Sequence, residues 1–345
     1  MTAFVESFTT QNLLPPWSTI GARTWMFVAK VPTDNIELYL DKSMNSAGPD
    51  TAPYHYAPWD GPGFGILSLV DHLDFASLAI DGKRRNRVLH KELIWSFPAV
   101  RHRRTEDNLL VERTLVWIQP FYFDTNAFIT FSSREIWGGE KGVAQILLAD
   151  DSTAEEFHCD VALNGFASFS PRSKVHSMGA VHIRGSRADA SVTRKDLRVF
   201  IDEDEDMSKI LASFGEILPA DWLAADPSAH FAMRPIEVNT VKQYRDALDP
   251  SCASYRALVA SRITHSAAEY SGYLPGSEVD IRFMWSDSFK DQLTTLFGLP
   301  EPDAAYQKGH VGTGMRIDDD RMDWNRRYDC QSCCLCVLRP TRNSR

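Results

Sequence analysis

The sequence predicts an α+β fold that is mainly β: a large antiparallel sheet, open or closed into a barrel, with a few flanking helices. Three observations carry this expectation. Short stretches rich in β-branched and aromatic residues dominate the first half, and several alternate in polarity with a period near two, as half-buried strands do. Turn signals separate them: Asp60-Gly61-Pro62-Gly63, Asp81-Gly82 and Gly138-Gly139. The helical segments that a parallel α/β fold places between its strands are scarce.

In chain order, strands are expected at 24–31 (TWMFVAKV), 65–70 (GILSLV), 92–97 (ELIWSF), 112–118 (ERTLVWI), 127–131 (AFITF) and 143–148 (VAQILL). Strand alternation returns at 279–285 (VDIRFMW). Residues 34–40 read as a short amphipathic helix, with Asp34 as N-cap before Ile36 and Leu40. Val241, Tyr244, Leu248, Tyr255, Leu258 and Val259 give 241–260 a helical reading, split or kinked by Pro250. A third helix is expected at 289–297, closed by Gly298 and Pro300.

With 345 residues, 43% of them hydrophobic, and nine Trp, the chain has ample core material and is not disordered. Its 37 Lys and Arg against 46 Asp and Glu give a net charge of −9, the wrong sign for a nucleic-acid binder. Basic runs at 83–87 (KRRNR) and 101–104 (RHRR) and an acidic run at 202–206 (DEDED) read as solvated loops or hairpin tips. The alternative for the basic pair is a rim that attracts an anionic substrate. No run approaches the roughly 20 apolar residues of a membrane helix. Residues 1–17 lack the basic and apolar parts of a secretory signal, so a cytoplasmic location is expected.

No repeat or clean linker precedes about Tyr306. One domain is therefore expected over 1–305, followed by a flexible tail over 306–345 that is acidic and then Arg- and Cys-rich. Four of the six Cys stand in this tail, as Cys330, Cys333, Cys334 and Cys336. Seven residues wrap poorly around one tetrahedral Zn2+. A soft-metal thiolate cluster, or palmitoylation beside Arg326, Arg327 and Arg339, is the alternative to a plain disordered terminus.

Phosphate loops, dinucleotide fingerprints, H-E-x-x-H and G-x-S-x-G are all missing, and the ten His are scattered, so no metal site is expected. Asp71-His72-Leu73-Asp74 sets carboxylates beside an imidazole, but strand alternation turns Asp71 and Leu73 away from His72 and Asp74. A satisfied structural histidine is the plainer reading there. The stretch 121–148 (FYFDTNAFITFSSREIWGGEKGVAQILL) rises above this background: after a Trp-Gly-Gly turn, Lys141 opens an apolar strand. A lysine at the mouth of an apolar pocket suits Schiff-base chemistry, because desolvation favours the neutral, nucleophilic amine. The bland alternative is a solvated Glu140–Lys141 surface pair.

The stretch resembles the signature of the acetoacetate decarboxylase superfamily. Asp124, then Ser133-Arg134-Glu135, then Gly139-Glu140-Lys141-Gly142 stand where that family has an Asp-Asn, a Gly-Arg-Glu and an aromatic-Pro-Lys-Lys turn. Weaker likeness at Gly21-Ala22-Arg23-Thr24, Pro32-Thr33-Asp34, 243–247 and 298–300 extends it over about 17–300. The resemblance implies a cone-shaped antiparallel β-barrel with flanking helices and Lys141 in its interior. It implies a Schiff-base-dependent decarboxylase, or related carbon–carbon lyase, acting on a β-keto or other oxo acid without metal or organic cofactor. Lys141 would be the nucleophile and Glu112 the proton-handling carboxylate, both catalytic. Arg134, Glu135 and Trp137 would bind substrate, Arg134 by a bidentate carboxylate contact.

Departures from the family pattern narrow this. Gly142 replaces the second lysine that in the family helps lower the nucleophile's pKa, Glu140 replaces Pro, and Pro32 stands where an Arg is expected. They argue against acetoacetate itself. A pocket lined by Trp59, Phe64, Trp95, Trp117 and Trp137 would suit a larger, polyketide-like ketone of secondary metabolism. These aromatics are otherwise plain core. Two alternatives remain: a cofactor-free cyclase, dehydratase or isomerase using Glu112 and a His, and a non-catalytic ligand-binding barrel with Lys141 paired to a carboxylate in solvent. The expected partner is a small molecule, neither nucleic acid nor (tail palmitoylation aside) a membrane, and homo-oligomerisation stays open.

Overall fold

A computed structural model describes residues 12–46, 53–79, 81–149, 156–166, 170–186, 236–249, 251–263, 269–274, 280–283, 328–329 and 335–339. Among them the elements run β1 (Trp17–Thr19), β2 (Ala22–Lys30), α1 (Thr33–Lys42), β3 (Tyr54–Pro58), β4 (Phe64–Ser77), β5 (Arg85–Arg104), β6 (Leu110–Asp124), α2 (Ala127–Ser132), β7 (Lys141–Ala149), β8 (Glu156–Gly165), β9 (His176–Ser186), β10 (Ile236–Arg245), β11 (Ala253–Ile263), β12 (Glu269–Leu274), β13 (Asp280–Phe283), β14 (Tyr328–Asp329) and β15 (Leu335–Arg339). A π turn, Ser133–Trp137, continues α2. The fold is α+β and mainly β, as the strand pattern predicts. No helix of the described residues is long and apolar enough to cross a membrane.

The strands pair in the order β12–β15–β2–β4–β5–β6–β7–β8–β9–β13–β14, with β1 on β4, β3 on β5, and β10 on both β6 and β11. The sheet is antiparallel except at β6, where the expectation needs correction. One side of β6 carries two parallel partners in succession: β10 beside Trp117 and Ile118, then β7 beside Tyr122, Phe123 and Asp124. Parallel neighbours need a crossover rather than a hairpin, and residues 125–140, holding α2 and the π turn, supply it. The described pairings do not close into a ring.

Both halves of the sheet contribute to one core. Phe27, Leu67, Leu93, Trp95 and Phe97 from β2, β4 and β5 share it with Ile146, Val161, Val181 and Ile183 from β7, β8 and β9. Helix α1 closes one side by the i, i+4 pair Ile36 and Leu40, with Asp34 in its first turn and Lys42 in its last complementing the helix dipole. Gly65 in β4 is set by this packing: a Cβ there would stand 2.2 Å from the Trp95 ring.

Two expected elements change type. Residues 127–131 form helix, not strand, because the Asn126 side chain accepts hydrogen bonds from the N–H groups of Phe128 at 2.9 Å and Ile129 at 3.3 Å. That N-cap outweighs the β propensity of AFITF. Residues 241–260 form the β10–β11 hairpin, with Val241 opposite Leu258 and Tyr244 opposite Tyr255. Its reversal is built from aspartates: Asp246 accepts from Leu248 N at 2.7 Å and Asp249 accepts from Ser251 N at 3.0 Å, turns that compete with helix. The helix expected at 289–297 and the acidic run at 202–206 lie outside the described residues.

Within the region expected as a tail, strand β15 pairs with β2, Cys336 lying opposite Met26. Cys330, Cys333 and Cys334 lie outside the described residues.

Gly138 ends the π turn in the left-handed conformation, φ 73°, and a Cβ there would stand 2.5 Å from the Lys242 Cα. Gly142, one residue past Lys141, would place its Cβ in ordinary contact, 3.9 Å from Phe123. Gly138→Ala is therefore expected to cost about 2 kcal/mol or more in urea unfolding, and Gly142→Ala less than about 1 kcal/mol.

Candidate active site

Strand register gathers one polar row across the sheet interior. His72 of β4 stands opposite His90 of β5, Glu92 of β5 opposite Asp124 of β6, and Tyr122 of β6 opposite Lys141 of β7. Alternation keeps His90 with Glu92 and Tyr122 with Asp124 on a shared face. Cross-strand neighbours approach to about 5 Å, so four strands deliver their side chains to one spot. Asp124 is fixed from the far end: its Oδ1 accepts from Asn126 N at 2.7 Å, and Asn126 in turn caps α2. The cap that starts the crossover thus also orients the carboxylate that the crossover's end, Lys141, meets.

Lys141 is 6% exposed and Asp124 0%. The ammonium donates to Glu92 Oε1 and, at 3.3 Å, to Asp124 Oδ2, while Nζ lies 5.1 Å from the centre of the Tyr122 ring. His72 and His90 stack, centroids 4.3 Å apart and planes 17° from parallel. His90 Nε2 lies 3.3 Å from Glu92 Oε1 and 4.0 Å from Asp124 Oδ2, and His72 Nε2 lies 3.6 Å from Glu92 Oε2. Behind them, His72 Nδ1 is 3.2 Å from the Thr19 hydroxyl.

Burial and neighbours divide the charges. Burial alone would pull the Lys141 pKa down, but Glu92 and then Asp124 outweigh it and hold the ammonium above the ordinary lysine value. Burial would likewise raise Glu92, but Lys141 first, then the two histidines, keep it well below the usual carboxylate range. Asp124 goes the other way: burial first, then the Glu92 charge opposite, push it up to about 8. Two facing carboxylates share one ammonium, and the second keeps its proton. Burial pulls His90 below the ordinary imidazole value. At neutral pH the set is an ion pair, a protonated acid and a neutral imidazole.

Of the residues singled out in the sequence, Lys141 lies at the centre of this set. Glu112 does not: it sits at φ 52° on the outer part of β6, its side chain 64% exposed and paired with Arg103 at 2.7 Å. The carboxylates that reach Lys141 are Glu92 and Asp124. Arg134, on the π turn, touches Lys141 at its backbone, NH1 lying 3.4 Å from the carbonyl oxygen, not at its amine. Glu135 accepts from the Asn12 amide at 2.6 Å, and Trp137 packs edge-on to Trp17 at 6.1 Å.

The expected aromatic pocket is packing instead. Trp59, Phe64 and Trp117 form a chain of T-shaped contacts, and Trp95 is 1% exposed in the core. A cavity of about 20 Å³ opens where β6 passes from β10 to β7, lined by Tyr39, Gln119, Gly138, Glu140 and Thr240 among others. It has room for about one water. Tyr122 bridges toward it, its hydroxyl donating to Gln119 Oε1. Sequence reading missed Glu92, His72, His90 and Gln119 as site residues. The available signal was His90-Lys91-Glu92, with His90 and Glu92 two apart just before the apolar Leu93-Ile94-Trp95.

No protein-family model matches the chain, and no curated protein does. Solved structures do. An acetoacetate decarboxylase from Legionella pneumophila is similar over 98% of this chain and 88% of its own, at 8% identity and a TM-score of 0.47. The enduracididine biosynthesis enzyme MppR, complexed with pyruvate, is similar over 97% and 90%, at 12% identity and 0.46. An acetoacetate decarboxylase-like enzyme from Sphingomonas wittichii is similar over 94% and 88%, at 10% identity and 0.41.

Asp124 gives the site a pH signature. Folded, it holds its proton to about 8; unfolded, it releases it near 3.8. The native state binds the extra proton between those values, so this residue's contribution to stability falls as pH rises through that window. Glu92 acts below the window and Lys141 above it; His90 acts inside with opposite sign but is common to parent and variant. Urea unfolding should therefore find Asp124→Asn gaining stability relative to the parent between about pH 5 and pH 8. Parallel curves would contradict the assignment.

Proposed function

We propose that the chain is an enzyme that joins Lys141 to the carbonyl of an oxo acid as a Schiff base, a decarboxylase or related carbon–carbon lyase. The observation that carries this reading is the buried Lys141 between two carboxylates whose environments push their pKa values apart. Such a split assigns a base and an acid.

Glu92 takes a proton from the ammonium, freeing the amine's electron pair to attack the carbonyl carbon. Asp124 protonates the resulting oxyanion and recovers a proton from the nitrogen. Glu92 then returns its proton to the hydroxyl, which leaves as water, and the iminium stays paired with the Glu92 carboxylate. The iminium is the sink for the electron pair released when carboxylate departs as CO2. Arg134, exposed beside the Lys141 backbone, is the candidate to hold the substrate's carboxylate. Entry is by the split between β7 and β10, where the Tyr122–Gln119 hydrogen bond must part to admit more than a water.

A second reading keeps the site but not the imine. The Glu92 and Asp124 contacts hold Lys141 as an ammonium, which suits a cofactor-free dehydratase, cyclase or isomerase in which Asp124 and His90 move protons and Lys141 only stabilises negative charge. Borohydride reduction with a panel of 2-oxo and 3-oxo acids separates the two. The Schiff-base reading expects a stable mass adduct on the peptide containing Lys141, formed roughly a hundredfold more slowly in Glu92→Gln. A folded protein that turns over an oxo acid yet gives no adduct supports the second reading and excludes the first.

A further inference from the structure

We propose that His72, His90 and Glu92 form a binding site for one divalent transition-metal cation, with Zn2+ and Fe2+ the ions their chemistry suits. The candidate ligand atoms of the three residues all lie within 4.8 Å of one another. Zn–N and Zn–O bonds are about 2.1 Å, so neighbouring ligand atoms around a tetrahedral ion stand roughly 3.4 Å apart. The Glu92 oxygens already hold that spacing, 3.3 Å to His90 Nε2 and 3.6 Å to His72 Nε2. Two imidazoles and one carboxylate are a donor set that zinc and non-haem iron both use.

The independent observation is His90. Its side chain is 0% exposed, yet neither ring nitrogen makes a hydrogen bond. A buried imidazole whose Nδ1 has no hydrogen bond and whose Nε2 only faces Glu92 Oε1 at 3.3 Å, outside good hydrogen-bond geometry, forfeits much of what water would give it. An ion bound at Nε2 would restore a partner there. His72 can be prepared differently: the tautomer that donates its Nδ1 proton to the Thr19 hydroxyl, 3.2 Å away, is the one whose Nε2 would offer a lone pair to the ion. The stacked rings must turn about χ2 for both lone pairs to converge, and for His90 that motion gives up only the 3.3 Å Nε2–Glu92 contact, which the ion would replace. What stands in the ion's place is the Lys141 ammonium on Glu92. Cation and ammonium therefore compete for one carboxylate, and the site exists whether or not Lys141 forms an imine.

The test is titration of the full-length, metal-free chain with Co2+ alone, followed by visible absorption, with Zn2+ displacement as the second readout. The expected result is one equivalent of Co2+ showing ligand-field bands without thiolate charge-transfer absorption. Affinity should fall by more than the roughly 10–100-fold that second-shell changes cost in Glu92→Gln and in His90→Gln. It should rise about tenfold or more in Lys141→Met, which removes the competing charge. His72→Gln, read with circular dichroism, stands in should one of the others fail to fold. Absence of stoichiometric Co2+ and Zn2+ binding overturns the proposal. So does binding that survives Glu92→Gln, or that carries thiolate absorption and disappears when Cys330, Cys333, Cys334 and Cys336 are replaced by Ser.

Discussion

The ion pair between Lys141 and Glu92 is the constraint from which the rest of the site follows. An ammonium with 5% of its side chain exposed cannot stay charged in a sheet interior unless a carboxylate meets it there. Glu92 does so from the middle of the longest strand, and Asp124 stands opposite Glu92 across the next ladder. Burying such a pair adds little net stability, whereas deleting one partner strands the other at a cost of roughly 3–5 kcal/mol. The arrangement is therefore better explained by chemistry than by folding.

Strand β6 is the scaffold that makes this meeting possible. Its middle, Trp117 and Ile118, is held by β10 and its last residues by β7, and both partners run parallel to it on the same side. The β10 wall is pinned by a partly buried network in which Arg101 pairs with Glu237 and the Tyr56 hydroxyl donates to Asn239 at 2.8 Å. The β7 wall is pinned by the capped crossover through α2 and by Gly138 against Lys242. Between these fixed walls lies Gln119, at the point where β6 changes partner and the small cavity opens. A strand whose neighbour changes leaves a gap in the ladder, and the small cavity lies at that gap.

Much of the fold was legible in the sequence, and the site only at its centre. Alternation identified β2, β4, β5 and β7 because each places buried apolar residues two apart: Trp25 and Phe27, Leu67 and Leu69, Leu93 and Trp95, Ala144 and Ile146. It failed at 127–131, where one Asn126 cap decides the outcome, and at 241–260, where apolar spacing fits either period and two aspartate turns decide it. Lys141 was visible because a turn and an apolar strand frame it locally. Glu92, His72 and His90 were not, because their relation to Lys141 is one of strand register across β4 to β7, which no local spacing encodes. Glu112, the carboxylate the family resemblance implies, opens an apolar stretch of sequence, yet it faces Arg103 and solvent.

The ionisation state of Lys141 tests this picture most directly. Lysine labelled with 13C at Cε, with the resonance assigned through Lys141→Arg, reports the charge of this one amine as pH is varied. An ammonium held by Glu92 and Asp124 predicts a Cε shift that stays at its charged value through about pH 10 and titrates only above the ordinary 10.5. A Lys141 already neutral near pH 8, or titrating with the exposed lysines, would contradict it.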